Sequence, residues 1–128
     1  MNRLLISFSF LILLLGQPAI GQGASEEERN CIDRSGGVTS EMLKCVTLSY
    51  QTADASLNKA WLELSPKLDS FQKKAFREAQ RDWISFRDTT CAAEAVLQTG
   101  SFASVALIDC KARLTSERLR WFESAQPG

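Results

Sequence analysis

Ala79-Gln80-Arg81-Asp82-Trp83-Ile84-Ser85-Phe86-Arg87-Asp88-Thr89-Thr90-Cys91 is the stretch on which the fold turns. It joins an apolar stripe, several polar side chains near that stripe and a cysteine. Ala79, Trp83 and Phe86 recur at the spacing that stacks side chains on one face of an α-helix, and Phe71 and Phe76 extend that face backwards. Gln80 and Arg87 lie two turns apart on its flank, close enough to the buried side for their polar ends to meet neighbouring helices. The stretch therefore reads as the central helix of an all-α protein.

Outward from it, the same period continues. Leu43, Val46, Tyr50, Ala53, Leu57, Ala60 and Leu64 alternate by three and four, which predicts a helix from Thr39 to Leu64 with one continuous apolar seam widened by Trp61. Thr39 can cap it, and Glu41 suits its positive end. Ser65-Pro66 then stops this helix and starts another, because proline lacks the N–H of a helix interior but fits a first turn. The second helix is expected from Lys67 to Leu97, with Lys67, Lys73, Lys74, Arg77, Glu78 and Arg81 on a solvated face. Gly100 ends it and Ser101 can cap a third, from Ala103 to Glu123, seamed by Val105, Ile108, Ala112, Thr115, Leu119 and Phe122. Short loops between three seamed helices predict a disulfide-stapled antiparallel three-helix bundle.

The chain has 128 residues, enough for one core. Residues 1–21 read as a secretory signal peptide: Arg3, then an apolar run from Leu4 to Leu15, then the small residues Ala19 and Gly21. The apolar run is shorter than a bilayer requires, so no membrane anchor is expected after cleavage. Residues 22–38 read as a loose N-terminal arm and loop, 39–123 as the helical domain and 124–128 as a fraying tail. Export makes the cysteines legible, since an even number in a small exported domain predicts bridges. Folding the chain around Pro66 and Gly100 brings Cys45, Cys91 and Cys110 to one end of the bundle. Four cysteines allow three pairings. Cys31–Cys45 and Cys91–Cys110 are favoured, because each joins a helix to the segment next to it. Long separations and the absence of histidine argue against zinc, and no cofactor motif is present. Basic and acidic residues number 15 each, and losing Arg3 leaves a net charge of −1, which gives no electrostatic case for nucleic acid.

Chemistry finds little foothold. Asp54 and Asn58, one turn apart beside the first seam, are expected to point toward Gln80, Arg87 or Arg118 and to form a structural polar network that fixes helix register. Nucleophilic catalysis has no histidine base, and a glycosidase would need two carboxylates facing each other across a groove. No catalytic residue is assigned and the chain is read as a non-enzyme. Recognition through surface remains. The loops around Ser35, Gly36 and Gly37 and around Gly100, Ser101 and Phe102 are the candidate partner contacts, because loops held by flanking cysteines lose less entropy on binding.

The order Cys45, Ala53-Asp54, Leu57-Asn58, Ala79-Gln80-Arg81-Asp82-Trp83-Ile84, Phe86-Arg87-Asp88, Cys91, Gly100-Ser101, Cys110, Thr115 and Arg118 resembles the lysozyme inhibitor LprI-like family of small exported bacterial proteins. The resemblance spans nearly all of the chain after the leader. It implies a helical disulfide-bonded domain, a periplasmic or secreted location and a protein partner such as lysozyme. The leading expectation is therefore an exported binding protein that inhibits lysozyme-type muramidases. The alternative is a structural or assembly module of the cell envelope with no enzyme target.

Overall fold

A computed structural model describes residues 24–125 and 127; the signal peptide expected over 1–21 lies outside the described residues. The described chain is all-α, with helices α1 (Glu26–Arg34), α2 (Thr39–Leu64), α3 (Ser70–Ala95) and α4 (Phe102–Ser124) and a 3-10 turn at Ser65–Lys67. Two bridges cross-link it, Cys31–Cys45 and Cys91–Cys110, which close loops over 14 and 19 residues. Loop closure of this size is worth about 3 kcal/mol per bridge, a large share of the stability of a small domain.

Four helices stand where the sequence predicts three. The addition is α1, in the segment expected to be a loose arm. Ser25 accepts a hydrogen bond from the backbone N–H of Glu28 at 3.1 Å, and Glu26, Glu27 and Glu28 occupy the first turn, where the helix dipole favours negative charge. Cys31 then ties α1 to α2, and Glu28 is buried, with only 6% of its surface exposed. Helix α3 begins later than expected. Ser65-Pro66-Lys67 makes a separate 3-10 turn, and a capping box between Asp69 and Gln72, with hydrogen bonds of 2.7 and 2.9 Å, fixes the true start.

Packing departs from a closed bundle. Helix α4 lies against α2 along most of its length and against α3 over a shorter span, whereas the backbones of α2 and α3 scarcely meet. Leu57, Leu64, Leu68 and Phe122 form one buried cluster and Cys91, Cys110 and Leu114 another; Trp83 packs against both. With one main neighbour, α3 buries only a narrow strip.

That strip shares Phe76 and Trp83 with the predicted one but lies to one side of it. Ala79 and Phe86 are exposed and Phe71 is 80% exposed, while the inward face carries Phe76, Gln80, Trp83, Arg87, Cys91 and Ala95. The helix is turned by about one residue, roughly 100°, from the expected facing. Two constraints set this facing. Cys91 must reach Cys110, and Arg87, 7% exposed, must bring its guanidinium over the rings of Tyr50 at 5.5 Å and Trp83 at 5.2 Å. Arg118 of α4 does the same from the other side, over Trp83 at 5.5 Å and Trp121 at 4.0 Å. Each such contact contributes about 0.5–2 kcal/mol. Arg87→Lys keeps the charge but loses the planar fork, and should cost about 1–2 kcal/mol in urea unfolding with helix content retained. An unchanged midpoint would show that the ring contacts do not anchor α3.

Candidate partner-binding site

The expected polar network of Asp54, Asn58, Gln80, Arg87 and Arg118 is not one network in the structure. Asp54 is only half-buried, and its carboxylate accepts from Asn58 Nδ2 at 3.3 Å on the same helix. Gln80 Oε1 accepts from Arg118 Nε at 3.0 Å, joining α3 to α4. Arg87 turns away from both pairs: its Nε donates to Asp88 Oδ1 at 3.0 Å, and Lys111 Nζ approaches the same oxygen at 3.3 Å. Asp88 is thus a hub that the sequence reading missed, and its only sequence signal was its place beside Arg87. Burial opposes its charge, but Arg87 and Lys111 outweigh that and hold the carboxyl below its ordinary value. Arg118 Nη2 and Thr115 Oγ1 are buried without hydrogen-bond partners, and the ring faces around Arg118 take the place of acceptors for its charge.

Of the two candidate loops, the second reaches a cavity through Phe102. Gly36 and Gly37 have φ of +60° and +80°, which lets the chain turn tightly between α1 and α2, and Gly100 at +61° does the same before α4. Ser35 is buried, its hydroxyl donating to the Ile32 carbonyl at 2.6 Å and accepting from the Gly37 N–H at 3.3 Å, so it fixes the turn and offers nothing to a partner. Gly36, Gly37, Gly100 and Ser101 are exposed, and Phe102 is 42% exposed. A cavity of about 380 Å³ is lined by Ile32, Met42 and Val46, by Phe102, and by the carboxylates of Glu28, Glu94 and Asp109. Arg113 Nη2 contacts both Glu94 oxygens at 3.0 Å. Glu28 lies beside Ser49 and Asp109.

Burial raises the pKa of Glu28, Ser49 opposes that and the negative charge of Asp109 adds to it, so the carboxyl stands above its ordinary value of 4.5. This end of the molecule therefore sets an aromatic edge, Phe102, beside acidic side chains. Among the described residues no group of three or more His, Cys, Asp or Glu is placed to hold a metal ion, and no helix is long and apolar enough to cross a membrane.

Residues 31–122 match the family model described as lysozyme inhibitor LprI. Searches of curated proteins and of solved structures find no match.

The shift at Glu28 has a defined sign. Below 4.5 the carboxyl is protonated in both folded and unfolded chains; as pH rises, the unfolded chain ionises first and stability drains away until the folded carboxyl has ionised too. Glu28→Gln removes this loss. Relative to the native chain, the variant should gain urea resistance between acid and neutral pH; a constant gap across that range would contradict the assignment.

Proposed function

The chain belongs to the lysozyme inhibitor LprI family, and from that premise we propose that it is an exported inhibitor of lysozyme-type muramidases that acts by surface contact and carries out no reaction of its own. The family match over residues 31–122 is the observation that carries this reading. Export of the chain to the periplasm or beyond, with residues 1–21 removed, agrees with two disulfides, which persist in oxidising compartments.

The contact is the end that bears both bridges. Its loops are held by Cys31–Cys45 and Cys91–Cys110, so ordering them on a partner costs little. Phe102 stands beside a cavity whose lining includes Glu94 and Asp109, and a muramidase with a basic surface would find there an apolar anchor with acidic neighbours. Gly36, Gly37, Gly100 and Ser101 let the backbone approach closely on either side.

Mixing the chain from Gln22 onward with muramidases of several classes, at micromolar excess over bacterial cell walls, should slow lysis by at least one class. No slowing against any of them would reject the inhibitor reading in favour of an envelope module without an enzyme target. Given inhibition, Phe102→Ser and Glu94→Lys should each weaken it by about tenfold or more, the scale of a central contact residue. Unchanged inhibition constants in both would move the contact off this end.

A further inference from the structure

The wide spacing of α2 and α3 leaves a second cavity, of about 250 Å³, at the opposite end of the helices from the acidic one. The two are separated by about fifteen residues of α2, some 20 Å along its axis. Phe122 of α4, 3% exposed, and Leu57 form its floor; Trp61 and Phe76 are its walls; Asn58, Arg77 and Arg81, all exposed, stand at its mouth with Gln80. We propose that this cleft receives a segment of a partner protein in which one bulky apolar side chain is flanked by carboxylates.

Depth and mouth call for different chemistry. The interior is made of ring and aliphatic carbon, so burying a hydroxyl-rich group there would leave polar atoms without partners, whereas an aromatic or branched aliphatic side chain gains about 1.5–3 kcal/mol from burial. At the mouth the two guanidiniums sit one turn apart on α3. Arg77 lies over Trp61 at 6.0 Å, and neither Arg77 nor Arg81 makes an ion pair within the described chain. Like charges at this spacing repel by a few tenths of a kcal/mol, and no residue lining the cleft carries a carboxylate to relieve them. An acidic neighbour in the occupant does so.

The amides select a peptide backbone. Asn58 gives its Nδ2 to Asp54, which leaves its carbonyl oxygen to accept; Gln80 gives its carbonyl oxygen to Arg118, which leaves its amide nitrogen to donate. The two walls thus present one acceptor and one donor, the complement of one peptide unit. Aromatic rings and arginines are also among the residues that dominate binding energy at protein interfaces.

The test is selection of a random-peptide display library on the chain from Gln22 onward, with each selected peptide then synthesised, fluorescently labelled and titrated by polarisation. Selected sequences should share a Phe, Leu or Trp next to Asp or Glu. Their binding should weaken about tenfold or more in Arg77→Glu and Arg81→Glu, and be lost in Asn58→Trp, which plugs the mouth without changing charge. All three sites are exposed, and unaltered thermal melting will establish that the variants fold. Selected peptides without acidic residues, peptides that bind the variants as well as the native chain, or no selected peptide at all would overturn the proposal. A concentration-dependent dimer that Arg81→Glu dissolves would also overturn it, by giving the cleft to a second copy. Muramidase inhibition unchanged by Arg81→Glu is expected, because the proposal does not rest on the inhibitor reading.

Discussion

Arg87 lies over the rings of Tyr50 and Trp83, and Arg118 over those of Trp83 and Trp121, so that two cations and three rings form a ladder running from α2 through α3 to α4. The rest of the architecture depends on it. The backbones of α2 and α3 scarcely meet, and long planar groups reach across: Arg87 to Tyr50, Arg77 to Trp61. A leucine at position 87 would fill volume near its own helix and leave the gap unbridged. Desolvating a guanidinium is costly, and the fold meets that cost with ring faces and one hydrogen-bonded partner for each arginine, Asp88 for Arg87 and Gln80 for Arg118. The cleft between α2 and α3 exists because the ladder spaces these helices apart and Phe122 closes the bottom.

The molecule consequently has two dissimilar ends. One is covalently stiffened, glycine-hinged and acidic, with Glu28, Glu94 and Asp109 around an apolar floor. The other is aromatic and ringed by arginine. Both offer shape and charge, and in neither does the geometry join a nucleophile to a base. For a small chain this division is economical, since α2 and α4 run the full length and serve as the common frame.

Much of the frame was legible in the sequence. The seam of α2 and the stop at Ser65-Pro66 depend on spacing and on proline, and these survive any tertiary context, so the bounds Thr39–Leu64 follow directly. Helix α1 falls in the segment read as a loose arm, although Ser25 followed three residues later by Glu28 is itself a helix-start signature. The facing of α3 was legible only in part: Phe76 and Trp83 point inward as expected, and Gln80 and Arg87 meet neighbouring helices, but Ala79 and Phe86 do not join them. A hydrophobicity pattern ranks Ala79 and Phe86 above Gln80 and Arg87, and it has no means of knowing that an arginine will be buried by rings brought in from two other helices. Arg87 four residues after Trp83, and Arg118 three before Trp121, were the available clue. The cavity beside Phe102 was not legible, because its lining comes from α1, α2, α3 and α4 and has no linear pattern.

Both sulfur links are short-range. One closes within the α1–α2 pair and the other within the α3–α4 pair, and none spans the turn at Ser65–Lys67. The chain is thus two cross-linked helix pairs joined covalently only through the turn at Ser65–Lys67, with the long α2–α4 contact packing one against the other. Oxidation can finish in either hairpin first without trapping the other, so a nascent chain entering an oxidising space from its N-terminus is free to seal the first half before the second has arrived.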